Sequence, residues 1–116
     1  MPLHASVTVT AVSTTESTAS NIIPMNRFDS PFNVGFGAVV SGTGEITYTV
    51  QHTFDGPNKD TGLFTSNTTW FDNTDVSGKT ANADGNYAFP VQALRVVAVS
   101  GSGQGIVTLT VLEAGL

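Results

Sequence analysis

The chain has 116 residues, no cysteine, and four Lys and Arg against nine Asp and Glu, for a formal charge of −5. This length indicates one domain with a core of its own, and the lack of cysteine excludes disulfides and thiolate metal sites. So few basic residues do not suit nucleic acid or an anionic membrane surface, and we expect neither as a partner. We find no signal peptide and no run near the roughly 20 apolar residues of a transmembrane helix, so we expect synthesis in a cytoplasm.

Charged residues make up only 11% of the chain, against about 25% in ordinary globular domains. Thr, Ser, Val and Gly take their place, and these residues favour strands and turns. Surfaces built from short side chains lose little conformational entropy when a partner covers them. The composition therefore indicates a β-rich domain and favours a role in assembly.

The N-terminal segment reads as strand, loop and connector. Apolar and hydroxyl side chains alternate from Ala5 to Ala11, which predicts a half-buried strand. Residues 13–20 are almost all Ser, Thr and Ala, and are typical of a loop or a strand at a surface edge. Pro24 lies within residues 21–28 and removes a backbone donor, so this stretch is an edge strand or an extended connector.

Two further strands follow. The apolar set from Phe32 to Val40 alternates with Gly35 and Gly37, which predicts a strand whose outer face has either a bulge or room for another backbone. Residues 45–54 form the most regular alternating stretch. His52 falls on its apolar face, where we expect a core residue with a hydrogen-bond partner.

Residues 55–86 form one long loop rich in Asn, Asp, Thr and Gly, and long loops are often functional. The loop contains two large apolar anchors, Leu63-Phe64 and Trp70-Phe71, with a short strand predicted at 68–71. The aromatic residues either pin the loop over the end of the domain or anchor a partner.

No catalytic or cofactor site is predicted. The clusters at Asp72–Asp75 and Asp84–Asn86 lack the spacing of a calcium loop and suit ordinary turns. The sequence contains no nucleophile elbow, P-loop or dinucleotide fingerprint. We therefore expect no enzyme activity, no metal and no cofactor.

The last third contains two β-branched runs, Tyr87–Val99 and Ile106–Leu112, around a Gly-rich turn, which predicts a β-hairpin. The first run is apolar on both faces except at Gln92 and Arg95. We expect it at the centre of an inner sheet or at a seam between subunits. Arg95 should have a carboxylate or backbone-carbonyl partner, since a buried unpaired charge is costly.

Together these elements predict an all-β single domain, 1–116. Its expected architecture is an antiparallel β-sandwich of jelly-roll type with seven or eight strands and one long loop. An immunoglobulin-like strand order satisfies the same periodicity and remains open.

Four blocks of sequence resemble small virion structural proteins of tailed bacteriophages, within residues 45–116. The blocks are Val50–Asp55, Thr69–Phe71, Gly78–Arg95 and Val107–Gly115. The resemblance implies a capsid decoration (cement) protein, a small β-sandwich or jelly roll on the capsid exterior. A tail or neck adaptor, a fibre-anchoring component, and a carbohydrate-binding host-attachment module with Trp70 as stacking platform are the alternatives.

For a decoration protein, the expected partners are the major capsid protein and further copies of the chain in a homodimer or homotrimer. The long loop leads directly into the last third, so we expect the partner interface there. The candidate interface residues are Leu63, Phe64, Trp70, Phe71, Tyr87 and Arg95.

Overall fold

The computed structural model describes residues 3–25, 33–42, 44–58, 60–89 and 91–114. Its described residues form strands and no helix, so no helix long and apolar enough to cross a membrane occurs among them. The strands are β1 (Leu3–Ala11), β2 (Thr18–Ala19), β3 (Ile23–Pro24), β4 (Asn33–Gly42), β5 (Glu45–Thr53), β6 (Phe71–Asp72), β7 (Ala83–Tyr87), β8 (Ala93–Ser102) and β9 (Gly105–Ala114). The predictions for residues 26–28 and for Phe32 lie outside the described residues.

The strands form two antiparallel sheets packed face to face. The first sheet has the order β1-β9-β4-β7, and the second has the order β2-β8-β5-β6, with β3 also paired to β8. Since β2 and β3 both pair with β8, they share one position in the second sheet. With β2 and β3 counted as one position, the eight positions follow the strand order of a jelly roll. The predicted sandwich is therefore confirmed, and the immunoglobulin-like order does not occur.

The core lies between the two sheets and follows from the alternation along each long strand. Inward side chains of β4, β5, β8 and β9 are buried, and the neighbouring outward side chains are mostly half-exposed or exposed. Together with Tyr87, Tyr48 is one of the two largest fully buried side chains. Its hydroxyl donates to the Ala81 carbonyl oxygen (2.6 Å), so the core contains this polar atom without an unpaired donor.

The predicted β-hairpin in the last third is wrong. β8 lies in the second sheet and β9 in the first, so the turn between them crosses from one sheet to the other. Each strand hydrogen-bonds instead to strands from earlier in the chain, β8 to β5 and β9 to both β1 and β4. The same sequence, a Gly-rich turn between two β-branched runs, suits both a hairpin within one sheet and a crossing between two sheets.

A second turn, between β4 and β5, also crosses between the sheets and lies beside the first. The Gly44 N–H donates to the Gln104 carbonyl oxygen (2.9 Å) and joins the two turns. A Cβ on Gly44 would collide with the Ser102 carbonyl oxygen and lie 2.6 Å from the Gln104 nitrogen. Glycine is therefore required for this close approach.

The long loop is shorter than predicted. β7 begins at Ala83, and the two-residue strand β6 begins at Phe71, so the irregular segments among the described residues are 54–58, 60–70 and 73–82. Tyr87 ends β7 in the first sheet and does not belong to the following strand β8, contrary to the prediction of one run. β8 itself is buried on its inner face and only partly covered on its outer face.

Candidate functional site

Five of the six predicted interface residues fall into two separate groups, and Leu63 lies apart from both. Trp70, Phe64 and Arg95 lie together on the outer side of the second sheet. Phe71 and Tyr87 lie on the other side of that sheet, around His52. Leu63 is exposed in the long loop, where its carbonyl oxygen accepts from the Asn58 N–H.

An aromatic end cluster is formed where β5 and β7 end. Its members are His52, Phe54, Phe71, Tyr87 and Phe89. The His52 ring contacts all four others, with centroid distances of 5.4 Å to Phe54, 6.0 Å to Phe71, 4.9 Å to Tyr87 and 5.8 Å to Phe89. The contact with Phe71 is stacked and the other three are edge-on, and ring contacts of these kinds add stability beyond the buried area.

His52 is the buried centre of the cluster, with 8% of its surface exposed. Its Nδ1 shares a hydrogen bond with the Tyr87 hydroxyl (2.8 Å). Burial lowers the pKa of His52, and the nearby Asp72 carboxylate partly opposes this effect. Burial raises the pKa of Tyr87 to about 12, opposed by a hydrogen bond from the Asn73 side chain. The pair is thus a neutral, satisfied polar contact, as predicted for a core histidine.

The other side of the cluster is open to solvent. Phe54, Phe71 and Phe89 remain 51%, 48% and 47% exposed, although their rings touch His52. Phe54 lies 5.8 Å from Phe71 and 6.1 Å from Phe89 between ring centroids, so the three rings form one continuous surface, which we call the phenylalanine patch. Contiguous exposed aromatic surface is typical of an interaction site.

Sequence reasoning missed two members of this patch. Phe54 continues the inward alternation of β5, but it follows the last strand residue and is half-exposed. Phe89 lies in the link between β7 and β8. Its two neighbours in the patch come from distant segments, and no local pattern reveals that they meet.

Arg95 is held by a chain of side chains on the outer side of the second sheet. Its guanidinium carbon lies 4.3 Å from the centroid of the Trp70 ring. Its Nε donates to Gln51 Oε1 (2.8 Å), and Gln51 Nε2 donates to Asp72 Oδ1 (2.8 Å). The partner of Arg95 is therefore a side-chain amide oxygen and not the predicted carboxylate or backbone carbonyl, and the Asp72 carboxylate is reached only through Gln51. Burial lowers the pKa of Arg95.

The contacts of Trp70 bear on the alternative in which its ring is a stacking platform for a sugar. One face of the indole is covered by the Arg95 guanidinium, and the Phe64 ring lies 6.4 Å away. The residue is half-buried. A stacked ligand would need the other face of the ring, whereas the contacts with Arg95 and Phe64 hold Trp70, and with it the loop, against the sheet.

The base of the long loop is closed by two hydrogen bonds. The Asp55 carboxylate accepts from the Thr69 N–H (2.7 Å), and the Thr53 hydroxyl donates to the Thr69 carbonyl oxygen (2.7 Å). The turn predicted at Asp84–Asn86 is wrong, since these residues are part of β7. Within the described ranges, no group of His, Asp and Glu could hold a metal ion.

No family model and no curated protein matches this chain. Among solved structures, a protein of Bacillus endospore appendages, described as a novel family of disulfide-linked pili, is similar over 99% of this chain and 89% of its own, with 14% identity and a TM-score of 0.35. The infectious bursal disease virus VP2 subviral particle is similar over 98% of this chain and 33% of its own, with 8% identity and a TM-score of 0.42. Similarities this low carry no argument about the function of this chain.

Proposed function

We propose that this chain is a virion structural protein, a capsid decoration (cement) protein of the tailed-phage kind, which acts by binding and performs no chemistry. The observation that carries the proposal is the phenylalanine patch on a jelly-roll domain with few charges. Three half-exposed rings in contact with one another offer an apolar anchor to a partner surface. The resemblance of residues 45–116 to small phage virion proteins supports the same assignment.

In this proposal the chain is synthesised in the host cytoplasm and binds the major capsid protein on the exterior of the shell. A domain that binds only the assembled shell stabilises it by mass action, because it lowers the free energy of the assembled form alone. Attachment of a dimer or trimer at several points raises the effective concentration of each contact. Individual contacts can then be small, which suits a patch of three rings.

Rigidity under the patch matters for such a contact. The hydrogen bond between His52 and Tyr87 and the packing of both rings hold the patch from below. Side chains that are already ordered lose less entropy when a partner covers them. The patch is therefore pre-organised for binding.

The test uses particles that lack this protein, mixed with the purified chain and analysed by co-sedimentation and cryo-electron microscopy. We expect the wild-type chain in many copies over the icosahedral shell. The variant F54S/F71S/F89S should bind at least about 10-fold more weakly, because each lost ring contact removes on the order of 1 kcal/mol or more.

The matched control is the variant V12S/V39S/L112S, which removes three exposed apolar side chains elsewhere. It should bind as the wild type does. Equal weakening of both variants would show that the patch has no special part in binding. A handful of copies at a single vertex or at the tail would overturn the decoration role.

A further inference from the structure

β1 is an open edge of the first sheet. Among the described residues it pairs with β9 on one side only. The pairing runs through nine residue pairs without a register shift, from Leu3 with Glu113 to Ala11 with Gly105. In an antiparallel strand with one neighbour, alternate residues point their N–H and C=O groups away from that neighbour. The outer edge of β1 thus presents a straight row of unpaired backbone groups about 30 Å long.

This edge has none of the features by which natural proteins block pairing. The strand sequence LHASVTVTA contains no Lys, Arg, Asp, Glu, Pro or Gly. Edge strands are usually interrupted by charges, prolines or bulges, since an exposed regular edge is a template for another strand. The edges of the second sheet differ, because β2, β3 and β6 have only two residues each.

The inward side chains of β1 are incompletely covered. Val9 and Ala11 are buried, whereas Ala5 and Val7 point to the same side and are only half-buried against the core. A further strand beside β1 would cover their open side. Two of the hydroxyls on the other face are already paired, Ser6 with Thr110 (3.0 Å) and Thr8 with Thr108 (3.1 Å).

We propose that β1 pairs antiparallel with β1 of a second copy of this chain, around a two-fold axis, to form one continuous eight-stranded sheet. A two-fold contact matches nine regular residues with nine identical ones. Pairing with the opposite edge of the sheet would match them with the five residues of β7, which include Asp84. The strand that pairs with the outer edge of β1 is therefore β1 of a second copy.

The distribution of charge supports a second copy as the partner. Asp72 and Asp84 lie in β6 and β7, and Asp75 lies in the link between these strands, on the side of the sandwich away from β1. Two copies joined through β1 keep these three acidic residues of each copy away from the seam, whereas Glu113, opposite Leu3, lies one strand from it. The repulsion between the two sets of Asp72, Asp75 and Asp84 is therefore weak in this arrangement.

This inference deepens the proposed function, which includes self-association, and names the surface for it. The test is made in solution without particles. We expect light scattering and sedimentation to give twice the 12.0 kDa chain mass for the wild type. The variant S6K/T8K should give the monomer mass, because it places four ammonium groups along one seam.

The matched control is T108K/T110K, which removes the same two hydroxyl pairs from β9, the strand next to the edge. It should stay dimeric. Single cysteines introduced by T8C and V39C into this cysteine-free chain give a direct readout with a short bis-maleimide. T8C should cross-link between copies, whereas the two V39C positions would lie five strand spacings apart, about 24 Å, and should not.

A wild-type monomer at all accessible concentrations would overturn the inference, as would a dimer or trimer that S6K/T8K leaves intact. The two proposals fail separately. A β1-linked dimer that does not bind particles would remove only the decoration role, and a monomer that decorates particles would remove only the β1 pairing.

Discussion

His52 shows which properties of a single residue the alternation of its strand predicts and which it does not. The alternation of β5 places it on the buried face with Ile46, Tyr48 and Val50, as predicted. What alternation cannot show is its surroundings, since Tyr87, Phe71 and Phe89 reach it from other strands and links. The histidine is buried by aromatic rings that also form the candidate binding surface.

The lowered pKa of His52 predicts a dependence of stability on pH. In the unfolded chain the imidazole titrates near its ordinary pKa of about 6.5. As the pH falls below that value, the unfolded chain binds a proton that the folded protein does not accept until its lower pKa is reached. The free energy of unfolding should therefore decrease between pH 6.5 and the folded pKa and change little from this source above pH 7.

Thermal unfolding measured at pH 7.5 and pH 5 tests this dependence. The difference in midpoint between the two conditions should be smaller in His52→Gln than in the wild type. The control His4→Gln removes the other histidine of the chain. If His52→Gln and the wild type show the same difference, the titration of His52 is not the cause.

The contact between Arg95 and Trp70 predicts a measurable coupling. A guanidinium over an indole contributes about 0.5–1 kcal/mol at a partly exposed site. A double-mutant cycle with Arg95→Met and Trp70→Leu, measured by urea unfolding, should give a coupling of that size. The control cycle pairs Trp70→Leu with Lys79→Met, where the coupling should be close to zero. Equal couplings in both cycles would show that the stacked contact adds nothing to stability.

At the scale of the elements, the two sheet-crossing turns determine how the strands are distributed between the sheets. Each turn carries its chain from one sheet to the other, and the hydrogen bond from Gly44 to Gln104 keeps the two crossings side by side. Gly103 has a φ of 63°, in the left-handed region that favours glycine. The glycines here serve close approach and turn geometry, whereas Gly35 and Gly37 within β4 have open space beside them.

This difference predicts opposite effects for two identical substitutions. Gly44→Ala should destabilise the protein by about 2–3 kcal/mol, because its Cβ would overlap backbone atoms of the neighbouring turn. Gly37→Ala meets nothing within 4 Å on the outer face of β4. It should leave stability unchanged or raise it by about 0.5–1 kcal/mol, since alanine loses less backbone entropy than glycine. Denaturant midpoints of the two variants that coincide would contradict the packing described at Gly44.

Strand β7 was missed because its sequence, Ala-Asp-Gly-Asn-Tyr, is that of a turn. It is a strand because it pairs with β4, in a register that places Gly85 opposite Phe36. A Cβ on Gly85 would lie 2.8 Å from the Phe36 ring, so the glycine leaves the space that the ring fills. A favourable contact across the sheet thus overrides a poor local preference for strand.

At the scale of the whole molecule, periodicity predicted the class of fold and the long strands β1, β4 and β5 to within about two residues of their ends. Periodicity failed at the turn between β8 and β9, because a hairpin and a crossing between sheets have the same local sequence pattern. It also failed at the phenylalanine patch, because Phe54, Phe71 and Phe89 meet only through the pairing of distant strands. Strand pairing is a non-local property, and one sequence without its partners in space does not specify it.

The position of β1 beside β9 has a consequence for synthesis. Ser6 and Thr110, which share a hydrogen bond in the finished sheet, are 104 residues apart in the chain. At a translation rate of roughly 5–20 residues per second, β9 is synthesised on the order of 5–20 s after β1. During that time both edges of β1 are open, and a β9 from a neighbouring nascent chain is as good a partner as its own. Chains translated from one message are therefore the population in which strand exchange between copies is expected first.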